Sequence, residues 1–501
     1  MIDVGGPTRI ACAGCGWRLP DAAPVVLRCP AAVPGDDVDH VLERHLDPGR
    51  LRFPGGREPE PFVRYRTLLH AYHAARALGW TDAEFVALID ALDSAVVAVD
   101  GRGFRETPFV RSDALSDRLG FAAAGGVWVK DETAHVSGSH KARHLMGTMI
   151  ELEVAEAVRT GDVQRAGGHP RSAPDAGRPG VAPGVGNPGG ARLAIASCGN
   201  AALAAAVVAR AAGRALDVYI TEEADPSVVA RLVDLGANVE VCLRTPGIPG
   251  DPSYLRLLAA VDEGAVPFTC QGNLNGLAIE GGETLGWEIA SAALASGLRL
   301  DRLFVQVGGG ALAASTIGAF RDARLMGAPV DLPRLHAVQA EGVAPLARAH
   351  DRVLAALRAA RVPVAAGVAL DLADPSVATV LSEVAHHRSA YMWPWEVEPH
   401  SIAGGILDDE TYDWMAVVRG TLASGGWPLV VNEATLAAAN ELGRSATGID
   451  VDPTGSSGLA GLMQMAERGL VGPDESVAVL FTGVRRGPPA TTSGAQRGDG
   501  S

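Results

Sequence analysis

A lysine behind a short polar loop is the first residue in this chain whose setting suits chemistry. The stretch VKDETAHVSGSHKARH, from Val129 to His144, reads as a strand, a Ser/Gly turn and the start of a helix. Ser137, Gly138 and Ser139 let the backbone turn sharply and approach a ligand closely. Lys141 behind them becomes a nucleophile toward a carbonyl if its surroundings desolvate it. Taken alone, such a lysine is more often a surface residue in a capping loop.

Two further segments share the pattern of strand, polar turn and helix, and a third polar stretch follows them. In the first, Ser197, Cys198, Gly199 and Asn200 form the turn after Ile195-Ala196. The helix behind them would offer N–H donors and the positive end of its dipole to a carboxylate. Ser and Asn are also ordinary helix starters. In the second, Gly308, Gly309 and Gly310 lead into Ala311 and Leu312. Consecutive glycines expose backbone N–H groups in a phosphate-sized nest, but the third glycine of G-x-G-x-x-G is missing. The last is Asp452-Pro453-Thr454-Gly455-Ser456-Ser457-Gly458.

Short apolar runs place these turns. Residues 127–129, 194–196, 217–220, 239–241, 303–307 and 477–481 read as buried strands, with Ala-rich helices such as 201–212 and 227–235 between them. Each parallel crossover needs a helix to return the chain, so the alternation implies an α/β fold with a parallel core. Upstream, residues 64–99 have helical spacing, with Leu68, Leu69, Tyr72, Ala75 and Leu78 on one face. A capping box at Thr81–Glu84 starts a second helix through Leu92. Residues 161–192, rich in Gly, Pro, Ala and Arg, read as a flexible insertion, and 485–501 as a disordered tail. No further domain is expected after the last strand.

With 501 residues and 47% hydrophobic composition the chain is long enough for two or three packed domains. A net charge of -15 argues against a nucleic-acid partner, which needs a basic footprint. No apolar run is long enough to span a membrane, and the N-terminus lacks the form of a signal peptide. Six scattered cysteines do not make a disulfide scaffold. A cytoplasmic, reduced protein is the expectation.

The lysine loop, Ser-x-Gly-Asn, the glycine loop and the Asp452–Gly458 stretch, in that order, resemble the fold-type II pyridoxal-phosphate enzymes. That group includes threonine and serine dehydratases, threonine synthase, diaminopropionate ammonia-lyase and the tryptophan synthase β chain. Glu106-Thr107-Pro108 and Val129–Glu132 resemble the family's opening, and Ile279–Ile289 the stretch between its lobes in threonine synthase and diaminopropionate lyase. The resemblance runs from about Thr107 to Gly483. It implies a two-lobed, tryptophan synthase β-like fold over 106–484, the smaller lobe near 130–270, preceded by an extension over 1–105. A homodimer is the family expectation.

By the same resemblance, Lys141 is the Schiff-base lysine and the base at the substrate's Cα. Asn200 faces the cofactor's ring hydroxyl, Ser197, Cys198 and Gly199 receive the substrate carboxylate, and Gly308–Leu312 bind the cofactor phosphate. His140 is expected beside that phosphate or simply packed. Thr454 faces the pyridine nitrogen, unless Asp452 does. A hydroxyl there makes a weaker electron sink, which suits elimination and replacement.

The leading expectation is β-elimination from serine or threonine to a 2-oxo acid and ammonia. Threonine synthase is the rival, with Arg143 as one candidate for a second phosphate. A diaminopropionate-type lyase and a β-replacement synthase stay open. A cofactor-binding protein without catalysis is the reading from another class, opposed by the joint presence of Lys141, Asn200, the glycine loop and Thr454. Cys12-x2-Cys15 and Cys29 resemble a zinc-ribbon half and the N-terminal segment of some threonine synthases. Position 32 is not cysteine, and neither His40 nor His45 lies at ribbon spacing. No metal is therefore expected, and the cluster reads as a relic.

Overall fold

The computed structural model describes residues 6–20, 23, 25–160, 191–245, 247–248, 250–395 and 399–486. An antiparallel pair opens the chain: β1 (Thr8–Cys12) and β2 (Leu42–Leu46), with Cys12 opposite Leu42. Two larger sheets follow. One has six strands and draws on both halves of the sequence. In chain order they are β3 (Phe109–Ser112), β4 (Gly126–Asp131), β9 (Arg302–Gln306), β10 (Arg334–Ala340), β11 (Leu429–Val431) and β12 (Ser476–Phe481). Their spatial order is β11-β10-β9-β12-β4-β3, parallel except for β3 against β4. The other is wholly parallel, β7-β6-β5-β8. It is made of β5 (Leu193–Ala196), β6 (Leu216–Ile220), β7 (Asn238–Val241) and β8 (Val266–Pro267).

Central strands covered on both faces need apolar residues throughout. Accordingly β9 and β12 are buried along their whole length. These are the α/β layers expected from the sequence. The capping box at Thr81 and Glu84 is formed, and its helix runs past Leu92 to Asp100, stopping at left-handed Gly101. The preceding amphipathic stretch is broken into a 3-10 turn at Arg66–Leu68 and a helix at His70–Ala77.

Most of the expected insertion, 161–190, lies outside the described residues. Its last residue belongs to the sheet instead: Arg192 pairs with Asp217 and its carbonyl accepts from Val266 N at 2.8 Å. The expected tail lies outside the described residues from 487 onward. Arg485 and Arg486, the first two residues of the expected tail, are instead held by side-chain bonds to Asp450 and to Ser137 and Asn200. No helix among the described residues is long and apolar enough to cross a membrane.

Candidate active site

Parallel strands gather ligand sites at their carboxyl ends, where the following helices begin. Here those ends enclose a cavity of about 630 Å³. Lys141 and His140, the Ser197–Asn200 turn, Gly308 through Leu312 and Thr454 all line it, although they come from distant parts of the chain.

Helix N-termini meeting this cavity divide into two kinds. The helices Pro226–Asp234 and Pro252–Asp262 are closed by Asp225 and Asp251, each accepting from a serine N–H. Asn200–Ala211 and Ala311–Leu325 start from Gly199 and Gly310 with no side-chain cap. An N-terminus left without a cap keeps its N–H donors for something else, and an anion is the species that fits. Gly310 sits at φ 101°, which only glycine adopts readily.

An anion already occupies part of this nest. Gly309 N donates to the Asp408 carboxylate at 2.7 Å, and a Cβ on Gly308 would run into that same side chain. Burial raises the Asp408 pKa, against the opposing pull of Lys141 and the Gly309 N–H. A phosphate entering the nest meets this carboxylate first. Asp408→Asn is therefore expected to tighten cofactor binding about 5–10-fold by removing a like charge, as read by equilibrium dialysis. Unchanged or weaker binding would show that phosphate does not use this nest.

Lys141 is the first residue of the helix Lys141–Thr160. Ser137, at φ 56°, and Gly138, at φ 70°, make the left-handed turn before it. Burial, and then the positive charge of Lys141, hold His140 well below the ordinary histidine range, so the ring is neutral. Its Nδ1 lies 3.3 Å from Thr482 O. A carbonyl only accepts, so Nδ1 carries the hydrogen and Nε2, buried and without a partner, presents a lone pair. That suits accepting a hydrogen bond better than holding an anion.

Arg143 faces away from substrate chemistry. It is fully buried, with Nε 2.8 Å from Glu132 and Nη1 2.7 Å from Glu288, which also accepts from Lys130 at 2.5 Å. Both carboxylates are engaged, so Arg143 is no candidate for a second phosphate.

The sequence reading missed the residues that stitch the site together. Past β12 the chain lies against the lysine loop: Thr482 O accepts from His140 N at 3.2 Å, and Val484 N donates to Gly138 O at 2.9 Å. Gly483 O accepts from Asp452 N at 2.9 Å, and Arg486 Nη2 donates to Asn200 Oδ1 at 2.8 Å. Thr482 also lines the cavity and accepts from Gln306 Nε2. Its one sequence signal was its place at the end of a buried strand. Thr454 receives Gly405 N at 3.0 Å. Asp452, whose pKa is pushed up to about 6 by burial, turns to Gly455 N and Asn200 and is not among the lining residues.

Two uncapped helix starts, which keep backbone N–H donors for an anion, and one cavity lysine fit a phosphorylated cofactor that is also bound covalently. A fold and site of this kind suit an enzyme that works through such a cofactor. The chain belongs to the family described as pyridoxal-phosphate dependent enzyme, which matches residues 102–483. Its cofactor is pyridoxal phosphate.

Among curated proteins, a threonine synthase of Methanosarcina acetivorans is 25% identical over 213 residues, 42% of this chain and 43% of that protein. A cysteate synthase of Methanoregula boonei is 28% identical over 298 residues, 58% of this chain and 60% of that protein. The chain thus spans about half the length of the curated relatives it matches. Diaminopropionate ammonia lyase from Escherichia coli shares the fold at TM-score 0.52 and 14% identity, covering 79% of this chain and 90% of that one. Threonine deaminase from Solanum lycopersicum, isoform 2 in its processed form, does so at 0.50 and 16%, covering 81% and 91%.

Proposed function

We propose that the protein is a pyridoxal-phosphate dependent lyase that eliminates the β-hydroxyl of a small hydroxy-amino acid, yielding a 2-oxo acid and ammonia. When bound, the cofactor supplies the electron sink for bond breaking next to the amino group. Lys141 holds it and moves the Cα proton. Asn200 meets its ring hydroxyl, Gly308 through Leu312 cradle its phosphate, and the Ser197–Gly199 turn orients the substrate carboxylate. Of the groups offered to the ring nitrogen, Thr454 and Thr482 carry hydroxyls and line the cavity. A hydroxyl partner favours elimination over chemistry that stores charge on the ring.

The charge balance around the cavity carries this choice of substrate. Four carboxylates line it, Glu223, Asp225, Asp251 and Asp408, against the cations Lys141 and Arg244. Lys141 is committed to the cofactor. A neutral hydroxymethyl group enters such a wall without penalty, whereas a phosphorylated side chain meets like charge. Arg244, stacked on Trp395 at the cavity, and the names of the curated relatives favour the synthase reading.

The test is an endpoint assay of the cofactor-loaded protein on L-serine, L-threonine, 2,3-diaminopropionate, O-phosphoserine and O-phosphohomoserine. Oxo acid and ammonia from serine or threonine are expected. Phosphate release from either phosphorylated substrate, with no oxo acid from the hydroxy-amino acids, would overturn the assignment in favour of a synthase.

A further inference from the structure

Between β1 and β2, the described residues of 13–41 form a long run of turns with one isolated bridge, Ala11 to Arg18. Loops of this length without regular structure need a clip or a core of their own. The core under this one is thin: Ile10, Cys12, Leu27, Cys29, Leu42 and Leu277 are its buried members. Yet the loop touches distant parts of the molecule. Leu27 O accepts from Gly276 N at 3.1 Å, Asp39 N donates to Ala385 O at 2.8 Å, and Asp37 O accepts from Arg388 N at 2.8 Å.

Four ligand-type side chains converge inside it. Cys12, Cys15, Cys29 and His40 bring their three sulfurs and one ring nitrogen within 4.8 Å of one another. Cys15 Sγ and Cys29 Sγ are 3.7 Å apart, and Cys12 Sγ and His40 Nδ1 are 3.5 Å apart. A disulfide would need sulfurs at roughly 2.05 Å. Tetrahedral zinc with bonds of about 2.3 Å to sulfur and about 2.0 Å to nitrogen has edges of roughly 3.5–3.8 Å. The 3.5 and 3.7 Å separations match such edges, and the other pairs lie within 4.8 Å.

The groups around the four ligands agree. His40 Nε2 lies 3.0 Å from Asp36 Oδ2, and Asp36 is itself fixed by Val33 N and Val38 N at 3.0 and 3.3 Å. A carboxylate accepts only, so Nε2 carries the hydrogen and Nδ1 turns its lone pair inward. Carboxylate–histidine pairs of this kind orient metal-bound imidazoles. Backbone N–H groups of Gly14 and Cys15 point at the Cys12 sulfur, and that of Ala31 at the Cys29 sulfur.

We propose that Cys12, Cys15, Cys29 and His40 bind one structural zinc ion that clips the 13–41 loop across the body of the enzyme. The fourth ligand missing from a ribbon pattern is His40, supplied by the run into β2 rather than by a second Cys-x2-Cys pair. All four positions are filled by protein, so the ion is closed to substrate.

The full-length protein, purified under reducing conditions from zinc-containing medium, is expected to carry one zinc per chain by plasma mass spectrometry. Cobalt(II) added after chelation should give the intense red-region absorption of a tetrahedral thiolate site, clear of the cofactor's own band. His40→Cys, which restores a fourth soft ligand, should keep the metal, and Cys242→Ser, remote from the cluster, should not alter it. Asp36→Asn should weaken zinc about 10–100-fold in competition with a chelating dye. Absence of stoichiometric zinc together with no cobalt spectrum, or a Cys15–Cys29 disulfide in the reduced preparation, overturns the proposal. Full zinc retention in a folded Cys12→Ser, His40→Ala double variant overturns it as well.

Discussion

On the proposed role of Lys141, Lys141→Ala is expected to abolish turnover while leaving a folded protein. The residue is half-buried at the first turn of its helix, in the wall of the main cavity, so truncation removes a functional group and not a piece of core. Two losses combine. Positioned proton transfer contributes about 10²–10⁴ in rate, and the covalent hold on the cofactor disappears with the amine. The variant should release its cofactor on gel filtration, keep its circular dichroism, and show activity at least about 100-fold down. Lys141→Arg should be as inactive, because guanidinium retains the charge but not a nucleophilic amine. More than a few per cent residual activity in either variant would remove Lys141 from its assigned role.

Glu288→Ala acts through stability. Glu288 sits on the helix Ala278–Ser296 and accepts from both Lys130 on β4 and Arg143 on the lysine helix. Lys130 and Arg143 are 0% exposed, so truncation leaves Lys130 without a carboxylate and Arg143 with Glu132 alone, where water cannot reach them. Breaking a buried pair from one side costs about 3–5 kcal/mol, which for a chain of 501 residues unfolding as one is a loss of roughly 3–5 °C in Tm. Burial works to raise the Glu288 pKa, but Arg143 and Lys130 outweigh it and hold it below the ordinary range. The sign follows: this stabilisation is present above the unfolded carboxyl pKa and is lost as pH falls through the folded one. Wild type should therefore lose its advantage over Glu288→Ala in acid, as urea titrations at a series of pH values would read. A cost below about 1 kcal/mol at neutral pH would mean that the network does not seat the lysine helix.

Much of the framework was legible in the sequence because it obeys short-range rules. Strands β4, β5, β6, β7, β9 and β12 announced themselves as apolar runs, and the capping box at Thr81 as four residues. β10 did not. Its sequence RLHAVQA mixes polar residues into a strand buried almost throughout, because His336 packs between the Phe304 and Trp427 rings and meets Arg302. Tertiary partners make those polar residues acceptable inside, and local pattern cannot show them.

The candidate site was legible to the same degree. Each motif lay on one loop, and each reached the cavity. Asp408 was invisible because nothing in its own neighbourhood connects it to Gly309, 99 residues away. Arg486 was hidden by the averaged composition of a Gly- and Pro-rich end. Arg143 carried a cation in a motif, and only its two buried carboxylates show that the charge is spent internally. His40 was discounted on spacing, yet the turn through Asp36 brings its ring to the cysteines regardless of spacing along the chain.

The placing of β12 has a consequence for the order in which the molecule comes into being. This strand, the last of the described chain, lies between β9 and β4 in the middle of the six-stranded sheet, and the residues after it hold the lysine loop and Asn200. A polypeptide emerging from the ribosome can pair β5 through β8 early, since their contacts are close in sequence. The larger sheet must wait with a gap at its centre until the final strand arrives. The enzyme is thus kept from acting on its substrate until β12 has been made, and a chain cut before Ser476 has neither a closed sheet nor the contacts that hold the lysine loop.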